Sequence, residues 1–249
     1  MSAAREADQA SGAPSYRVGL VGGTSWTSSE HYYRKLNEGV ATAAGAQYSA
    51  PVTLWSVEFG DFARMQHDGD WAGVSRVLCD AARRLVDAGC AGIALAANTT
   101  HLVADDVRAA IGDVPFIDLI DLTARAVAGA RRVGLLGTQF TMTSSMFPDR
   151  LGRDGIEVVT PGAEEQQRQH EIIYTELARG VISEQARVDY LAGIDKIVAE
   201  GAEYVLLACT ELGLLVRDGD ASVPLVDTTD VHCRALVDFM LNGPDGGTS

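Results

Sequence analysis

Three segments of the first half of this sequence recur in the second half, at almost the same separation along the chain. Residues 17–22 (RVGLVG) recur as 132–137 (RVGLLG), and residues 115–118 (PFID) recur as 224–227 (PLVD). Between them, residues 87–97 resemble residues 199–209: each segment has a glycine at its third position and ends on two small residues. Two copies are too few for a solenoid, which needs three or more repeats. The repeat therefore predicts two similar halves.

Each half alternates short apolar strands with amphipathic helices. In the first half, strands are predicted at residues 16–21, 52–57, near 93 and at 115–117, with helices after the first strand, at 71–88 and at 102–111. Such alternation implies parallel pairing. We predict an α/β fold of two pseudo-symmetric, doubly wound parallel-sheet domains. The expected limits are a disordered tail at 1–15, a first domain at 16–121 plus 226–249, and a second at 122–225.

Charge and apolar patterning restrict the class of protein. The 249 residues carry a net charge of −14, with 20 Lys and Arg against 34 Asp and Glu, which argues against a nucleic-acid partner. No apolar run approaches the roughly 20 residues that cross a bilayer, so no membrane association is expected. The N-terminal residues lack the apolar core of a signal peptide, and the four cysteines lack paired spacing. We therefore expect reduced thiols and a cytoplasmic location.

Polar residues follow the predicted strands at four places. Since parallel α/β sheets bind ligands beyond the carboxyl ends of their strands, these places are candidate binding loops. If the two halves face each other, the loops meet in an interdomain active-site cleft with Ala97 and Cys209 on opposite walls. The glycine loop at 22–25 offers backbone N–H groups to a carboxylate or phosphate but lacks a nucleotide fingerprint. The four places are residues 22–25, 97–99, 137–141 and 209–211.

Cys209 is the candidate catalytic residue. A thiolate is a nucleophile and a base, and free cysteine has a pKa of about 8.5. The residues after Thr210 are predicted to begin a helix, whose N-terminus would lower the pKa of Cys209. Alternatively, Cys209 is a small buried apolar residue. Among the histidines, His101 lies closest to a predicted strand end. It is either a residue of the active site or a histidine at the start of a helix that only forms hydrogen bonds with the backbone. No histidine pair has metal-ligand spacing, so no metal is expected.

Six ordered motifs resemble the aspartate/glutamate racemase family of the pyridoxal-phosphate-independent Asp/Glu/hydantoin racemase superfamily. They span residues 16–241 and are GGTSW (22–26), NTTH (98–101), GTQFTM (137–142), IIYTEL (172–177), CTEL (209–212) and DTTDVH (227–232). The resemblance implies two α/β domains in a homodimer, no cofactor, and a small carboxylate or amino-acid substrate. It also implies two cysteines on opposite faces of the substrate, one removing the α-proton and the other returning one.

The same resemblance assigns residues to the substrate. Arg168 falls where relatives carry a lysine that contacts a side-chain carboxylate, and its guanidinium suits bidentate binding. The residues implied to hold the α-carboxylate and ammonium are Thr24, Asn98, Thr99, Thr138, Thr141 and Thr210.

Ala97 departs from the family pattern, because it stands where the first catalytic cysteine is expected and cannot carry a proton. Three interpretations remain. The first is a racemase or epimerase in which water, Asp118 or His101 serves as the second proton carrier. The second is a one-cysteine decarboxylase, lyase or cis–trans isomerase, in which Cys209 protonates a carbanion from one face. The third is a non-catalytic binder of an acidic amino acid.

Overall fold

The computed structural model describes residues 12–217 and 219–244, which form two compact units. The first unit comprises the described residues up to Ala96, Val103–Asp118 and those from His232 onward, and the second comprises Ala97–Leu102 and Leu119–Val231. Of the tail predicted at residues 1–15, residues 1–11 lie outside the described residues. Ser15, at its end, donates a backbone hydrogen bond to the Met240 carbonyl. The predicted domain limits at 121 and 225 stay a prediction.

The first unit contains a three-stranded parallel sheet. Its strand order is β2-β1-β3, and the predicted strand at 115–117 is only an isolated parallel bridge between Phe116 and Ile93. The strands are β1 (Val18–Gly22), β2 (Val52–Ser56) and β3 (Gly92–Leu95). The helices are α1 (Trp26–Ala44), α2 (Phe59–His67), α3 (Trp71–Asp87) and α4 (Ala104–Ile111). A 3-10 helix at Thr99–Val103 precedes α4 and begins in the second unit.

The second unit contains a four-stranded parallel sheet of order β5-β4-β6-β7. Its first three strands repeat the order of the first sheet, so the α/β fold with two parallel-sheet units is confirmed. The elements are α5 (Leu119–Ala126), β4 (Arg132–Gly137), α6 (Gln139–Thr143), α7 (Met146–Gly152), β5 (Glu157–Val159), α8 (Ala163–Thr175), a 3-10 helix at Leu177–Arg179, α9 (Glu184–Ala199), β6 (Tyr204–Ala208), α10 (Leu212–Leu215), β7 (Leu225–Asp227) and α11 (Thr228–Asn242), which continues into the first unit.

Both faces of the second sheet are covered by apolar side chains. Along β6, Val205 and Leu207 pack in the cluster that includes α8 and α9, whereas Leu206 and Ala208 pack in the cluster that includes α5 and α7. A strand that is buried on both faces has a continuous apolar sequence, and the sequence of β6, YVLLA, fits this rule. Cys209 continues the alternation and packs with Leu207.

The helices show the expected amphipathic pattern and end signals. In α3, one side is buried and Asp70 caps the first turn by accepting from the Gly73 N–H. Gly89 follows the helix with φ of 80°, a conformation that favours glycine after a helix C-terminus. Across the described parts of the chain, no helix has both the length and the apolar character needed to span a membrane.

Candidate active site

Two neighbouring strand ends of the second unit carry the polar loops predicted from sequence. Gly137 at the end of β4 pairs with Ala208 at the end of β6, so Thr138 and Cys209 leave adjacent strands, which lie about 4.8 Å apart in a sheet. Glycine is required at 137, because a Cβ there would lie 2.9 Å from the Ala208 carbonyl oxygen. The register therefore holds the Thr138 loop beside the Cys209 loop.

The Cys209 thiol is buried and bonded to a carboxylate. Its Sγ donates to Glu211 Oε2 at 3.1 Å, and Thr210 Oγ1 donates to the same oxygen at 2.5 Å. Burial, and then the negative charge of Glu211, raise the pKa of Cys209 well above its ordinary value. The prediction that a helix N-terminus lowers this pKa is wrong, since α10 starts only at Leu212 and has 4 residues. Cys209 is therefore a protonated thiol at neutral pH.

Two tyrosines lie within electrostatic range of this thiol and carboxylate. Burial raises the pKa of Tyr174, on α8, to about 12, and the charges of Cys209 and Glu211 add to the effect. Burial likewise raises the pKa of Tyr190, on α9, and its hydroxyl donates to the Gln169 carbonyl at 3.1 Å. Both phenols are consequently protonated at neutral pH.

Three threonine hydroxyls of the second unit form a hydroxyl triangle. Thr99 Oγ1 lies 3.1 Å from both Thr138 Oγ1 and Thr141 Oγ1, which are 3.2 Å apart. Thr138 also caps α6 by accepting from the Thr141 N–H. Because hydroxyl hydrogens rotate, the triangle can turn donors toward an anion. The structure thus brings together three of the predicted binding residues.

The orientation of the Asn98 amide follows from its neighbours. Thr228 Oγ1 donates its single hydrogen to the Leu207 carbonyl at 3.0 Å, so it must accept from Asn98 Nδ2, also at 3.0 Å. This leaves Asn98 Oδ1 buried, and no hydrogen-bond partner for it occurs within residues 12–217 and 219–244. A buried acceptor without a donor costs about 1–3 kcal/mol, which marks Oδ1 as a position for a ligand donor.

His101 is held by backbone groups of its own unit. Its Nδ1 lies 2.9 Å from the Ala97 carbonyl oxygen, and its Nε2 accepts from the Leu119 N–H at 3.4 Å. These contacts engage both ring nitrogens. Ala97 itself offers a methyl group and a carbonyl that also accepts from Thr100 Oγ1 at 2.6 Å.

The other predicted residues lie apart from these contacts. In the first unit, Asp118 forms an ion pair of 2.8 Å with Arg108, and Thr24 has a buried hydroxyl for which no partner occurs in the described ranges. Arg168, on α8, is 63% exposed at its side chain and lies 3.7 Å from Asp189. The proton-carrier role considered for Asp118 and the substrate contacts of Thr24 and Arg168 stay predictions.

Three residues of this region have no role among the sequence predictions. Glu211 is two residues after Cys209 in the same motif, but the contact between its carboxylate and the thiol depends on how the loop after β6 folds. Thr228 follows strand β7, so the rule that polar residues at strand ends bind ligands applies to it as well. Tyr174 belongs to the IIYTEL motif, which carries the family resemblance but assigns no role to this residue.

Comparisons with known proteins agree with this architecture. A sequence model of the family described as Asp/Glu/Hydantoin racemase matches residues 21–236. A solved structure from Yersinia pestis, described as a candidate Asp/Glu racemase, is 40% identical with a TM-score of 0.83, covering 91% of this chain and 100% of that chain. A solved structure of an aspartate racemase homologue from Pyrococcus horikoshii is 35% identical, with a TM-score of 0.77. The match covers 90% of this chain and 98% of that chain.

A curated relative is more distant. The broad specificity amino-acid racemase RacX of Bacillus subtilis is 22% identical over 169 residues, which cover 68% of this chain and 73% of RacX.

Proposed function

We propose, from the premise that this chain belongs to the Asp/Glu/Hydantoin racemase family, that it transfers protons at the α-carbon of an acidic amino acid or related carboxylate without a cofactor. Cys209 is the acid and base of this proposal. The observation that carries it is the buried Cys209 thiol at the end of β6, hydrogen-bonded to Glu211. Racemisation needs an acid and a base on opposite faces of one carbon, and a thiol can fill either role on its own face.

The proposed substrate contacts follow from the donors and acceptors of the second unit. The hydroxyl triangle of Thr99, Thr138 and Thr141 supplies donors for a carboxylate. The buried Oδ1 of Asn98 supplies an acceptor for an ammonium or hydroxyl group. Thr24 and Thr210, and Arg168 for a side-chain carboxylate, complete the proposed set. The homodimer implied by the family resemblance, and the cytoplasmic location expected from the unpaired cysteines, remain part of the proposal.

Incubation of the purified protein in D₂O with L- and D-aspartate and L- and D-glutamate tests this function. Proton transfer at the α-carbon is expected to introduce deuterium there, detected by ¹H NMR and mass spectrometry, and chiral chromatography then reports the configuration. Deuteration with inversion supports the racemase. An absence of deuteration with all four acids, together with binding measured by calorimetry, would support the non-catalytic binder instead.

Replacement of Cys209 tests its role directly. We expect Cys209→Ser to lower the deuteration rate by at least about 10²-fold, because a serine hydroxyl is a far weaker acid than a thiol and acid–base groups contribute about 10²–10⁴-fold. Cys79→Ser is the matched control, since Cys79 is buried on α3 with Ser75 Oγ at 3.8 Å. Equal rates for Cys209→Ser and the wild type would refute the assignment.

A second function, one-sided proton transfer, is favoured by the contacts of the residues considered as second proton carriers. Both ring nitrogens of His101 are engaged by backbone groups, Asp118 is paired with Arg108, and residue 97 is alanine. A one-cysteine decarboxylase, lyase or cis–trans isomerase needs only the thiol. Deuteration with retained configuration, or turnover of substituted malonates with release of CO₂, would select this function over racemisation.

A further inference from the structure

A row of three aromatic rings in the second unit joins the start of α6 to the cluster that contains the thiol. The central ring is His170, on α8, which meets Phe140 edge to face with 5.4 Å between the ring centroids. On its other side, the His170 ring lies 4.6 Å from the ring of Tyr174, one turn further along α8. Tyr174 in turn packs against the apolar cluster that includes Cys209. The His170 ring is therefore fixed between α6 and the residues around the thiol.

His170 also forms a hydrogen bond with the backbone of α6. The Gln139 N–H donates to His170 Nδ1 at 3.3 Å. Gln139 is the first residue of α6, and the first N–H groups of a helix have no carbonyl acceptor within that helix. The Thr141 N–H of the same turn is satisfied by Thr138 Oγ1. His170 thus supplies, from another helix, an acceptor that α6 itself lacks.

We propose that His170 is a positioning residue for the substrate carboxylate. Through the Gln139 N–H, it holds the start of α6 so that Thr138 and Thr141 keep their hydroxyls in the hydroxyl triangle. Gln139 lies between these two threonines in the chain, so a displacement of its backbone moves both hydroxyls. His170 acts through this backbone contact and not through a contact with substrate. The proposal rests on the carboxylate site proposed at the triangle.

The length of α6 makes an external contact necessary. The helix has 5 residues, and helices of fewer than about 12 residues are marginal without tertiary contacts. The hydroxyl distances of 3.1, 3.1 and 3.2 Å in the triangle are already at the long end of the range for hydroxyl pairs. A further displacement of α6 by about 0.5 Å would therefore separate the three hydroxyls. The hydrogen bond from Gln139 to His170 opposes this displacement.

Two substitutions separate the hydrogen bond from the ring contacts. His170→Phe keeps a ring between Phe140 and Tyr174 but has no acceptor, whereas His170→Asn keeps an acceptor at the position of Nδ1 and loses the ring. We expect His170→Phe to raise the KM of the acid that undergoes α-deuteration by about 10-fold, the upper end of what one hydrogen bond contributes. Its kcat should stay within about twofold, because the triangle binds the carboxylate alike before and during proton transfer. His170→Asn should keep the KM of the wild type.

A purely structural role for His170 predicts different kinetics. Lost packing would reduce the fraction of folded enzyme, which lowers kcat and leaves KM unchanged, and His170→Asn would then be the more affected variant. A wild-type KM in both variants, or an equal rise of KM in both, would overturn the proposal. His67→Phe makes the same chemical change at an exposed position in the last turn of α2 and is the matched control, expected to keep both constants.

Amide exchange tests the hydrogen bond without any turnover. Exchange of the Gln139 N–H into D₂O, followed by ¹H–¹⁵N NMR, should be about 10-fold faster in His170→Phe than in the wild type and in His170→Asn. If the phenylalanine variant does not fold, His170→Leu, which also lacks an acceptor, takes its place. Equal exchange rates with and without an acceptor at residue 170 would overturn the proposal, whatever the activities of the variants.

Failure of the proposed function gives a different pattern. If the wild type binds the acids but deuterates none of them, the function assigned to Cys209 fails, and the Kd measured by calorimetry takes the place of KM. A Kd that rises in His170→Phe and not in His170→Asn would still support the positioning role of His170. Equal Kd values in the two variants would contradict it.

Discussion

The Thr99 hydroxyl joins the two other members of the hydroxyl triangle, since it lies 3.1 Å from each. Thr99→Val keeps the side-chain volume but removes this donor, while the contact between Thr138 and Thr141 remains. A hydrogen bond to a charged group contributes about 1.5–3 kcal/mol, so we expect the KM of the acid that undergoes α-deuteration to rise by about 10–100-fold.

The matched control for this substitution is Thr143→Val. Thr143 Oγ1 donates to the Gln139 carbonyl on the exposed side of α6, outside the triangle, so its KM should equal that of the wild type. Equal KM values for Thr99→Val and Thr143→Val, measured by initial rates of deuteration, would contradict a carboxylate site at the triangle.

At the scale of elements, the close packing of β4 against α9 depends on a glycine. A Cβ added to Gly134 would lie 2.3 Å from Ile197 Cγ2 and 3.2 Å from Val205 Cγ2. Strand β4 cannot shift easily, because it is bonded to β5 on one side and β6 on the other. We expect Gly134→Ala to lower the free energy of unfolding by about 1–3 kcal/mol, the usual cost of overpacking.

Gly152→Ala provides the comparison for that prediction. Gly152 ends α7, and a Cβ there meets no atom within 4 Å. Alanine is favoured over glycine in a helix by about 1 kcal/mol, so this variant should be as stable as the wild type or slightly more stable. Urea denaturation followed by circular dichroism measures both changes, and a stable Gly134→Ala would show that α9 can move away from the sheet.

At the scale of the whole molecule, buried weak acids make stability depend on alkaline pH. Burial raises the pKa values of Cys90, Cys209, Tyr174 and Tyr190. The folded protein therefore keeps protons that the unfolded chain releases, from about pH 8.5 for thiols and about pH 10 for tyrosines. Their stabilising contribution is complete below these values and is lost as pH rises toward the folded-state pKa values, by up to about 1.4 kcal/mol per group per pH unit.

Urea denaturation at intervals between pH 7.5 and 10.5 checks this dependence. We expect the free energy of unfolding to fall across the range, and to fall less steeply in Cys209→Ala, which lacks one of the raised thiols. A flat profile for the wild type, or identical slopes for the two proteins, would contradict the raised pKa of Cys209 in the folded state.

The sequence alone was sufficient for the α/β class, the two halves and the strand ends that carry polar residues. These features depend on local periodicity and on the repeat of residues 17–22 at 132–137, which are properties of neighbouring positions. The strand order confirmed that both halves have the same arrangement. The short strand expected at 115–117 failed to form beyond one bridge, because strand length depends on pairing partners that the local pattern does not specify.

Tertiary structure decided the chemical state of the candidate site. The protonation of Cys209 reverses the expectation from sequence, because it depends on burial and on the distance to Glu211 rather than on the start of a helix. The orientation of Asn98 depends on Thr228, which lies far along the chain. Sequence determined which residues reach the strand ends, whereas side-chain distances and exclusion of water determined what those residues can do there.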